Sequence, residues 1–494
     1  FSSHEYPIGS FVEVPIRGKR QMAIVTDYRP VSSTKTALKA ATFSLRKLPH
    51  QPTATVLPPS IRHTASALTA QYPASIGALL FQLLPPDVRS GTLPYPVSDA
   101  IASSPQEDPT PQILTARIDE RFLIYQSVIR SALAKKQSVL VVVPSAIAVT
   151  FAMKELGAGI EDKVVALSAQ HTLRQRKTAY QSLTDTKTTK LIITTPAYAY
   201  LARADLATII LEQAASGQYV NRQRPYLDHR DALMTYAQAT GCSLIFADTL
   251  PRTEDEALRR DERYQTYGET AKRIAFAAPL TIITQRDKPN PDRPFQLFSP
   301  ELQTSVKHAL EANGHVFLYA ARRGLAPVVA CIDCGHILRC PESNTPYSLL
   351  RTKKNGVEER WLVSSTSGKR VRANDLCPQC GSWRLRERGI GIQTVYDEWT
   401  ALAPDTDVTL LDHLTAPTSR QAESVAAAFF AKPRGILIGT QLALPFLSRG
   451  VAVSAVVSHD AARSIPTWRA DETFFRLLLH LRECTAKEVI LQTR

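Results

Sequence analysis

Two short cysteine dyads, far apart in the chain, limit its fold more than any other feature. They are Cys331-Ile-Asp-Cys334 and Cys377-Pro-Gln-Cys380, each followed at once by a glycine, Gly335 and Gly381. In a Cys-x2-Cys-Gly turn both thiolates point the same way, and glycine permits the turn that aims backbone amides at the sulfurs. Two such knuckles supply the four thiolates that tetrahedral Zn2+ takes. Buried free cysteines are the alternative reading, but chance placement does not repeat both the spacing and the glycine. Seven cysteines in 494 residues, four of them in knuckles, point to zinc in a reducing compartment rather than to disulfides. Cys242 and Cys484 stand alone in apolar stretches and read as core residues.

A chain of 494 residues suggests three or four domains, and 44% hydrophobic content is ample for packed cores. There is no run of about 18 apolar residues, so no membrane-spanning helix is expected, and no signal peptide is read in a sequence that begins at Phe1 rather than Met. The net charge of +14 hints at a polyanionic partner. Between Arg351 and Arg388 ten Lys/Arg face four Asp/Glu, so this stretch alone carries +6. Its basic residues are interspersed with Trp361 and Trp383, a mixture suited to phosphate contact and base stacking.

Residues 10–15 and 21–26 read as strands joined by Arg17-Gly-Lys-Arg20, a hairpin with a basic turn. Ile61, Ala65 and Leu68, then Ile76, Leu79, Leu80, Leu83 and Leu84, have helical spacing that Pro85-Pro86 ends. Residues 87–112, rich in Pro, Ser and Asp, read as a linker. From about 113 the texture becomes α/β. Continuous apolar runs at 138–143, 191–195, 207–211, 242–246 and 280–283 predict central strands of a parallel sheet, with helical patterns between them. A second α/β lobe is read from 301–320 and, after the cysteine-bearing stretch, from 407–411, 435–439 and 452–458 with helices at 418–430 and 471–482.

Several segments line up in one order. Leu318-Tyr-Ala-Ala-Arg-Arg-Gly-Leu-Ala-Pro327 runs into the first knuckle. Cys377-Pro-x-Cys380-Gly, Ile436-Leu-Ile-Gly-Thr-Gln441, Trp468-Arg-Ala-Asp-Glu-Thr-Phe474 and Glu488-Val-Ile-Leu-Gln-Thr493 follow. Gly9-Ser-Phe-Val-Glu-Val-Pro-Ile-Arg-Gly18 and Ala23-Ile-Val25 add an N-terminal match. Together these resemble the PriA family of replication-restart helicases (primosomal protein N′) over nearly the whole chain. The resemblance implies an α/β fold of two RecA-like lobes of superfamily 2 helicase type, with a zinc-binding insertion in the second. A small β-rich DNA-binding domain and a winged helix precede them. The implied boundaries are 1–55 for a domain that binds 3′ DNA ends, 56–110 for the winged helix and linker, 111–288 for lobe 1, 289–330 and 391–494 for lobe 2, and 331–390 for the insertion. The family usually carries a further domain after its Gln-Thr, which is here either absent from the protein or outside this sequence, and the family's first N-terminal strand would fall upstream of Phe1.

The departures are as telling. The family's first lobe opens with a phosphate loop ending Gly-Lys-Thr, in which glycines free backbone N–H groups for the phosphates, lysine reaches the γ-phosphate and threonine holds Mg2+. The matching stretch here, Leu114 to Tyr125, has no glycine. Arg121 stands at the lysine position and Phe122 at the threonine position, and Asp119 and Glu120 would repel phosphate. Where the family has Asp-Glu-Glu-His, this chain has Glu212-Gln213-Ala214-Ala215, and an amide such as Gln213 cannot act as a base. The coupling segment matches loosely at Ala247-Asp-Thr-Leu-Pro251. The segment near Arg482 lacks the Gly-Arg pairs of an arginine finger, and the Lys-Gly after Gly439-Thr-Gln441 is gone. No catalytic residue is therefore assigned, and ATP with Mg2+ is not expected as a cofactor.

Carried over by position, Cys331, Cys334, Cys377 and Cys380 form the complete outer site of the family's two-zinc insertion. The inner site keeps Cys340, but its partner position reads Ser343, and the third pair has become Trp361-Leu-Val-Ser-Ser-Thr-Ser367 with no cysteine. One structural Zn2+ is expected. Tyr347–Arg351 and Arg360–Val363 read as a ribbon across Asn355-Gly356. Pro225-Tyr-Leu-Asp-His-Arg-Asp231 resembles the family's segment after its DNA-sensing loop. The candidate DNA contacts are Arg17, Lys19, Arg20, Tyr226, Arg230, Arg322 and Arg323. The function implied is a non-hydrolysing PriA-like protein of the bacterial cytoplasm and nucleoid. It would be a monomer binding branched, forked or 3′-ended DNA, with replication-restart or single-strand-binding proteins as further partners and no membrane. The alternatives are a divergent but active 3′–5′ helicase and a zinc-stabilised assembly platform.

Overall fold

A computed structural model describes the chain except residues 1–5, 17–18, 34–38, 41–55, 97–109, 202, 269–273, 286–295, 322–327, 332, 335, 355–356, 365–366, 374–375, 389, 464–467 and 494. The chain divides into two compact units, Phe1–Ile274 and Ala275–Arg494. Among the described residues no helix is long and apolar enough to cross a membrane.

The first unit opens with an antiparallel hairpin of β1 (Phe11–Ile16) and β2 (Lys19–Ile24), in which Ile16 pairs with Lys19 and Pro15 with Arg20. Arg17 and Gly18 of the basic turn read from the sequence lie outside the described residues, and Lys19 and Arg20 begin the return strand.

Helices Pro59–Leu68 and Ile76–Leu83 follow, the second capped by the Ser75 hydroxyl, which accepts from the Ala78 N–H. Their apolar stripes are buried, but not in a core of their own. Ile61, Leu68, Leu79 and Leu83 belong to the same cluster as Leu140, Ile209, Leu211 and Tyr236 of the lobe that follows. The Tyr72 hydroxyl donates to Asp231 at 2.7 Å, and the Tyr95 hydroxyl to the Tyr200 carbonyl at 2.9 Å. The two expected helices are present, but among the described residues of 56–110 no wing hairpin accompanies them.

The lobe itself is a seven-stranded parallel sheet. Its strands are β3 (Gln112–Thr115), β4 (Ser138–Val142), β5 (Val164–Leu167), β6 (Leu191–Thr194), β7 (Leu206–Glu212), β8 (Ser243–Asp248) and β9 (Gln265–Thr266), in the order β5-β6-β4-β7-β8-β3-β9. Alternate residues serve opposite faces. Leu140, Val142, Ile192, Ile209 and Leu211 join one cluster, and Val139, Val141, Leu191, Ile193 and Ile210 join the other. Cover on both faces is why these strands read as continuous apolar runs.

The second unit begins with β10 (Leu280–Thr284) and β11 (His315–Tyr319). An insertion follows, with β12 (Val328–Cys331), β13 (Tyr347–Lys354), β14 (Val357–Ser364), β15 (Arg370–Arg372) and β16 (Leu385–Arg388). The lobe then resumes with β17 (Val408–Leu411), β18 (Gly435–Gly439), β19 (Val451–Val456) and β20 (Thr485–Thr493). The parallel order is β10-β20-β19-β11-β18-β17. β10 pairs with β20, so the apolar run at 280–283 belongs to the second sheet and the boundary between the lobes falls near residue 275 rather than 288. A short apolar run carries no sign of which of two neighbouring sheets it will join. The chain is an α/β protein of two RecA-like lobes, the second carrying the four-cysteine insertion.

Candidate functional site

In an open α/β sheet, ligands bind beyond the carboxyl ends of the strands. In the first lobe the ends of β3, β7 and β8 lie side by side, and all of the first lobe's degenerate motifs converge there. Only Ala116 and Arg117 separate β3 from helix Ile118–Ala134, so no loop exists to wrap a phosphate. The helix N-terminus would still attract an anion. It is answered instead by exposed Asp119 and Glu120 of its first turn, which Arg117 bridges at 2.7 and 3.4 Å.

One turn further in, Arg121 turns back beneath the strand ends and is 1% exposed. Its Nε donates to Glu212 Oε2 at 3.0 Å and its Nη2 to Oε1 at 2.7 Å, a bidentate pair. Its Nη1 donates to the Ala116 carbonyl at 2.5 Å and to the Thr249 hydroxyl at 2.8 Å. The Tyr125 hydroxyl donates to Glu212 Oε2 at 2.6 Å. Burial alone would lower the Arg121 pKa, but the Glu212 carboxylate overrides it and holds the guanidinium firmly charged. Burial and the same carboxylate push the Tyr125 hydroxyl well above its ordinary range, so it stays a donor. The residue at the lysine position thus neutralises the residue at the Mg2+-binding position. Phe122 is buried against Tyr125 and Phe151.

The surrounding shell is equally closed. The Tyr219 hydroxyl donates to the carbonyls of Glu212 and Val142 at 2.6 and 3.0 Å. Asp248 accepts from the backbone N–H of Ala215 at 3.0 Å and of Thr249 at 2.7 Å. Gln213 takes a left-handed φ of 50° on leaving β7. The structure overturns one expectation here. Arg230 is 4% exposed, ion-paired to Asp228 at 2.8 Å, and donates to the carbonyls of Ala214 and Ser216 at 2.8 and 3.1 Å. It braces the segment after β7 from inside and presents no surface for DNA. Tyr226 is 54% exposed, and Arg322 and Arg323 lie outside the described residues. In the second unit, Arg482 donates to the Ala278 carbonyl at 3.2 Å and lies over the Phe276 ring.

In the insertion, β12 runs into the first knuckle and the second knuckle runs into β16. These two strands pair antiparallel with Cys331 opposite Leu385, which brings the dyads together. The four sulfurs of Cys331, Cys334, Cys377 and Cys380 all lie within 4.8 Å of one another. Cys331 and Cys380 are 3.6 Å apart, and Cys334 and Cys377 3.7 Å. Tetrahedral Zn–S bonds of about 2.3 Å set neighbouring sulfurs about 3.8 Å apart, so the donor set fits zinc. Asp333 ties the knuckles together, accepting from Ser382 Oγ and, at 2.9 Å, from Arg384 Nη1.

The knuckle backbone recurs where no cysteine pair survives. In each outer knuckle the first cysteine's N–H donates five residues ahead, Cys331 to the His336 carbonyl at 2.9 Å and Cys377 to that of Ser382 at 2.7 Å. Cys340 does the same to Thr345, and Ser364 to Lys369, both at 2.9 Å. Asn344, Gly368 and Gly381, each just after the second ligand position, have φ of 52°, 71° and 70° and donate back to residues 340, 364 and 377. Cys340-x2-Ser343 and Ser364-x2-Ser367 are therefore two further knuckles facing each other. Ser343 Oγ lies 3.0 Å from Ser364 Oγ, and Cys340 Sγ lies 3.5 Å from Ser367 Oγ. The hydroxyls of Ser343 and Ser367 pull the Cys340 thiol down to about 6. Sequence reading missed the second of these pairs because serine carries no spacing signal of its own; the Ser-x2-Ser-Gly at 364–368 was the available clue. The ribbon is present, with Tyr347 opposite Ser364 and Arg351 opposite Arg360; its Asn355-Gly356 turn lies outside the described residues.

No protein-family model matches the chain. Among curated proteins it is similar to the replication restart protein PriA of Bacillus subtilis, at 22% identity over 378 residues, which are 75% of this chain and 46% of that protein. The PriA of Haemophilus influenzae matches at 26% over 61% of this chain and 41% of its own, and that of Helicobacter pylori J99 at 22% over 99% and 76%. The chain spans about half the length of the first of these relatives. Among solved structures it is similar to the helicase MrfA bound to DNA, with a TM-score of 0.43 and 8% identity over 78% of this chain and 44% of that one.

Proposed function

We propose that this chain, a divergent PriA-like protein, binds DNA in replication restart without hydrolysing ATP or unwinding its substrate. The observation that carries the second half is the Arg121–Glu212 pair: the cation and the carboxylate that would serve phosphate and Mg2+ are buried against each other. ATP hydrolysis needs Mg2+ on the β- and γ-phosphates and a residue that orients the attacking water. Glu212 is held by Arg121 and Tyr125, and Gln213 and Ala214 offer no base.

The DNA-binding half is supported by the PriA relatives and by a net charge of +14. Arg17, Lys19 and Arg20 of the basic turn would meet backbone phosphate near a 3′ end. Arg322 and Arg323 at the entrance of the insertion, together with Tyr226, would add contacts on branched or forked DNA. Arg230 is not among them. Cys331, Cys334, Cys377 and Cys380 would hold one structural zinc, which pins the basic insertion. Replication-restart and single-strand-binding proteins are the partners that fit this role. The setting is then the bacterial cytoplasm and nucleoid, with the chain acting as a monomer.

Two measurements test this. Steady-state ATPase activity with forked DNA is expected at background; robust DNA-stimulated turnover that Arg121→Ala abolishes would establish a working helicase instead. Fork binding titrated against salt is expected to weaken steeply as phosphate contacts are lost. No binding at low salt would favour a protein-assembly platform.

A further inference from the structure

The second zinc knuckle displays a tryptophan that the fold does not use. Trp383 is 76% exposed, against 3% for Trp399 in the core of the same unit. Its backbone is held firmly. The Cys377 N–H donates to the Ser382 carbonyl at 2.7 Å, closing the turn just before it, and the Leu385 N–H donates to the Trp383 carbonyl at 2.9 Å. Ser382 and Arg384 on either side are both tied to Asp333 of the first knuckle. On the other side of the closing hydrogen bond, Leu376 is also 50% exposed. A rigid mount thus carries an indole whose ring faces are largely open to water.

An open aromatic face on a fixed support, in a stretch of net charge +6, has the chemistry that recognises single-stranded nucleic acid. The bases stack on the ring while the phosphates are drawn by the surrounding cations. Around the insertion the exposed arginines Arg360, Arg370 and Arg372 lie on the ribbon strands β14 and β15. A protein partner could also cover the indole, but single-stranded nucleic acid offers a planar base and a phosphate in every nucleotide, which matches a ring and cations carried on one segment. Within a duplex the bases already stack on each other, and only the terminal pairs offer a free face.

We infer that Trp383 is a stacking platform for an unpaired base of single-stranded DNA, placed by the four-cysteine centre. The inference rests on the DNA-binding reading above and adds which strand is held and by what. Three variants test it in the full chain, read by anisotropy of a labelled oligo-dT and of a blunt duplex of equal length, with bound zinc measured alongside. Trp383→Ala is expected to weaken oligo-dT binding roughly 5- to 150-fold while changing duplex binding less than about 2-fold. Trp383→Phe, which keeps a π face, is expected to restore affinity to within about 3-fold of the parent and to remove the quenching of tryptophan emission on binding. Oligo-dT affinity unchanged in Trp383→Ala, or an equal loss on both ligands, overturns the inference. Should Trp383→Ala lose its zinc, Trp383→Leu and Trp383→Phe decide: Leu binding as weakly as Ala with Phe binding tightly supports stacking, and Leu binding like the parent overturns it. Failure of the parent protein to bind forked DNA at low salt would remove the function proposed above. A parent that binds forks with every Trp383 variant alike would remove only this inference.

Discussion

Arg121→Met is the most informative single change. Methionine keeps the length and apolar stem of the side chain but removes the cation. Four hydrogen bonds disappear, two of them to Glu212, and that carboxylate, 3% exposed, keeps only the Tyr125 hydroxyl. Removing one partner of a buried ion pair costs about 3–5 kcal/mol, because the other charge is stranded in a medium that solvates it poorly. This is a large part of the stability of a typical domain, about 5–15 kcal/mol. The chain offers its own internal control. All four tryptophans lie beyond residue 275, so their emission follows the second unit, while hydrogen exchange of peptides spanning β3 and β7 follows the first. The expected result is a first-unit transition that falls by several degrees while the tryptophan transition stays in place. Adding Glu212→Leu and Tyr125→Phe should restore most of the loss, since a buried pair replaced whole by apolar groups is about neutral or better. The opposite role for Arg121, holding phosphate, predicts something else. The apo protein would lose little, and a parent-specific stabilisation by Mg-ATP, about 2.7 kcal/mol at a hundredfold excess over Kd, would vanish. A loss within about 0.5 kcal/mol would refute the buried-anchor argument.

Metal analysis of the parent protein should give one zinc per chain, a value near two overturning the reading of Cys340 and its three serines as a metal-free pair of knuckles. The triple variant S343C/S364C/S367C should raise the count to two, since backbone turns of knuckle form already surround those positions; a count that stays at one would show that the turns are not close enough to ligand geometry. His229, buried with its ring nitrogens on Tyr200 and Asn221, has a pKa lowered to about 4, chiefly by burial. The unfolded chain binds that proton below about pH 6.5 and the folded one does not. The first unit should therefore lose stability as pH falls from about 6.5 to 4, by up to about 1.4 kcal/mol per pH unit, and His229→Gln should flatten that slope in urea melts. Equal slopes would count against a neutral buried imidazole.

The lobes were legible because their strands are buried on both faces, and such strands announce themselves as apolar runs whatever their neighbours do. The same property hid the allegiance of 280–284, which suits either sheet. The outer knuckles were legible because metal ligation requires one residue type at one spacing, whereas Ser343, Ser364 and Ser367 keep the turn and lose the label. Arg230 misled for a related reason: a charged residue beside an exposed Tyr226 looks like surface, and only the fold shows its guanidinium turned onto the carbonyls of Ala214 and Ser216.

The Arg121–Glu212 pair was half legible, and the missing half is physical. Read singly, arginine at the lysine position and glutamate at the Mg2+ position are two defects in two motifs 91 residues apart. Together they are one exchange of charge. The Glu212 carboxylate at the end of β7 is buried, and in a hydrolase Mg2+ would supply the balancing charge. Here Arg121 neutralises it from within the chain, and its planar fork engages both carboxylate oxygens as a lysine could not. Tyr125, one helical turn further along, supplies the remaining donor. Arg121, Tyr125 and Glu212 form one closed hydrogen-bonded network, and for that reason single reversions should fail. Arg121→Lys is expected to leave Glu212 under-bonded and destabilise the lobe without creating a nucleotide site, because the two-residue passage from β3 to the helix still has no loop to receive a phosphate.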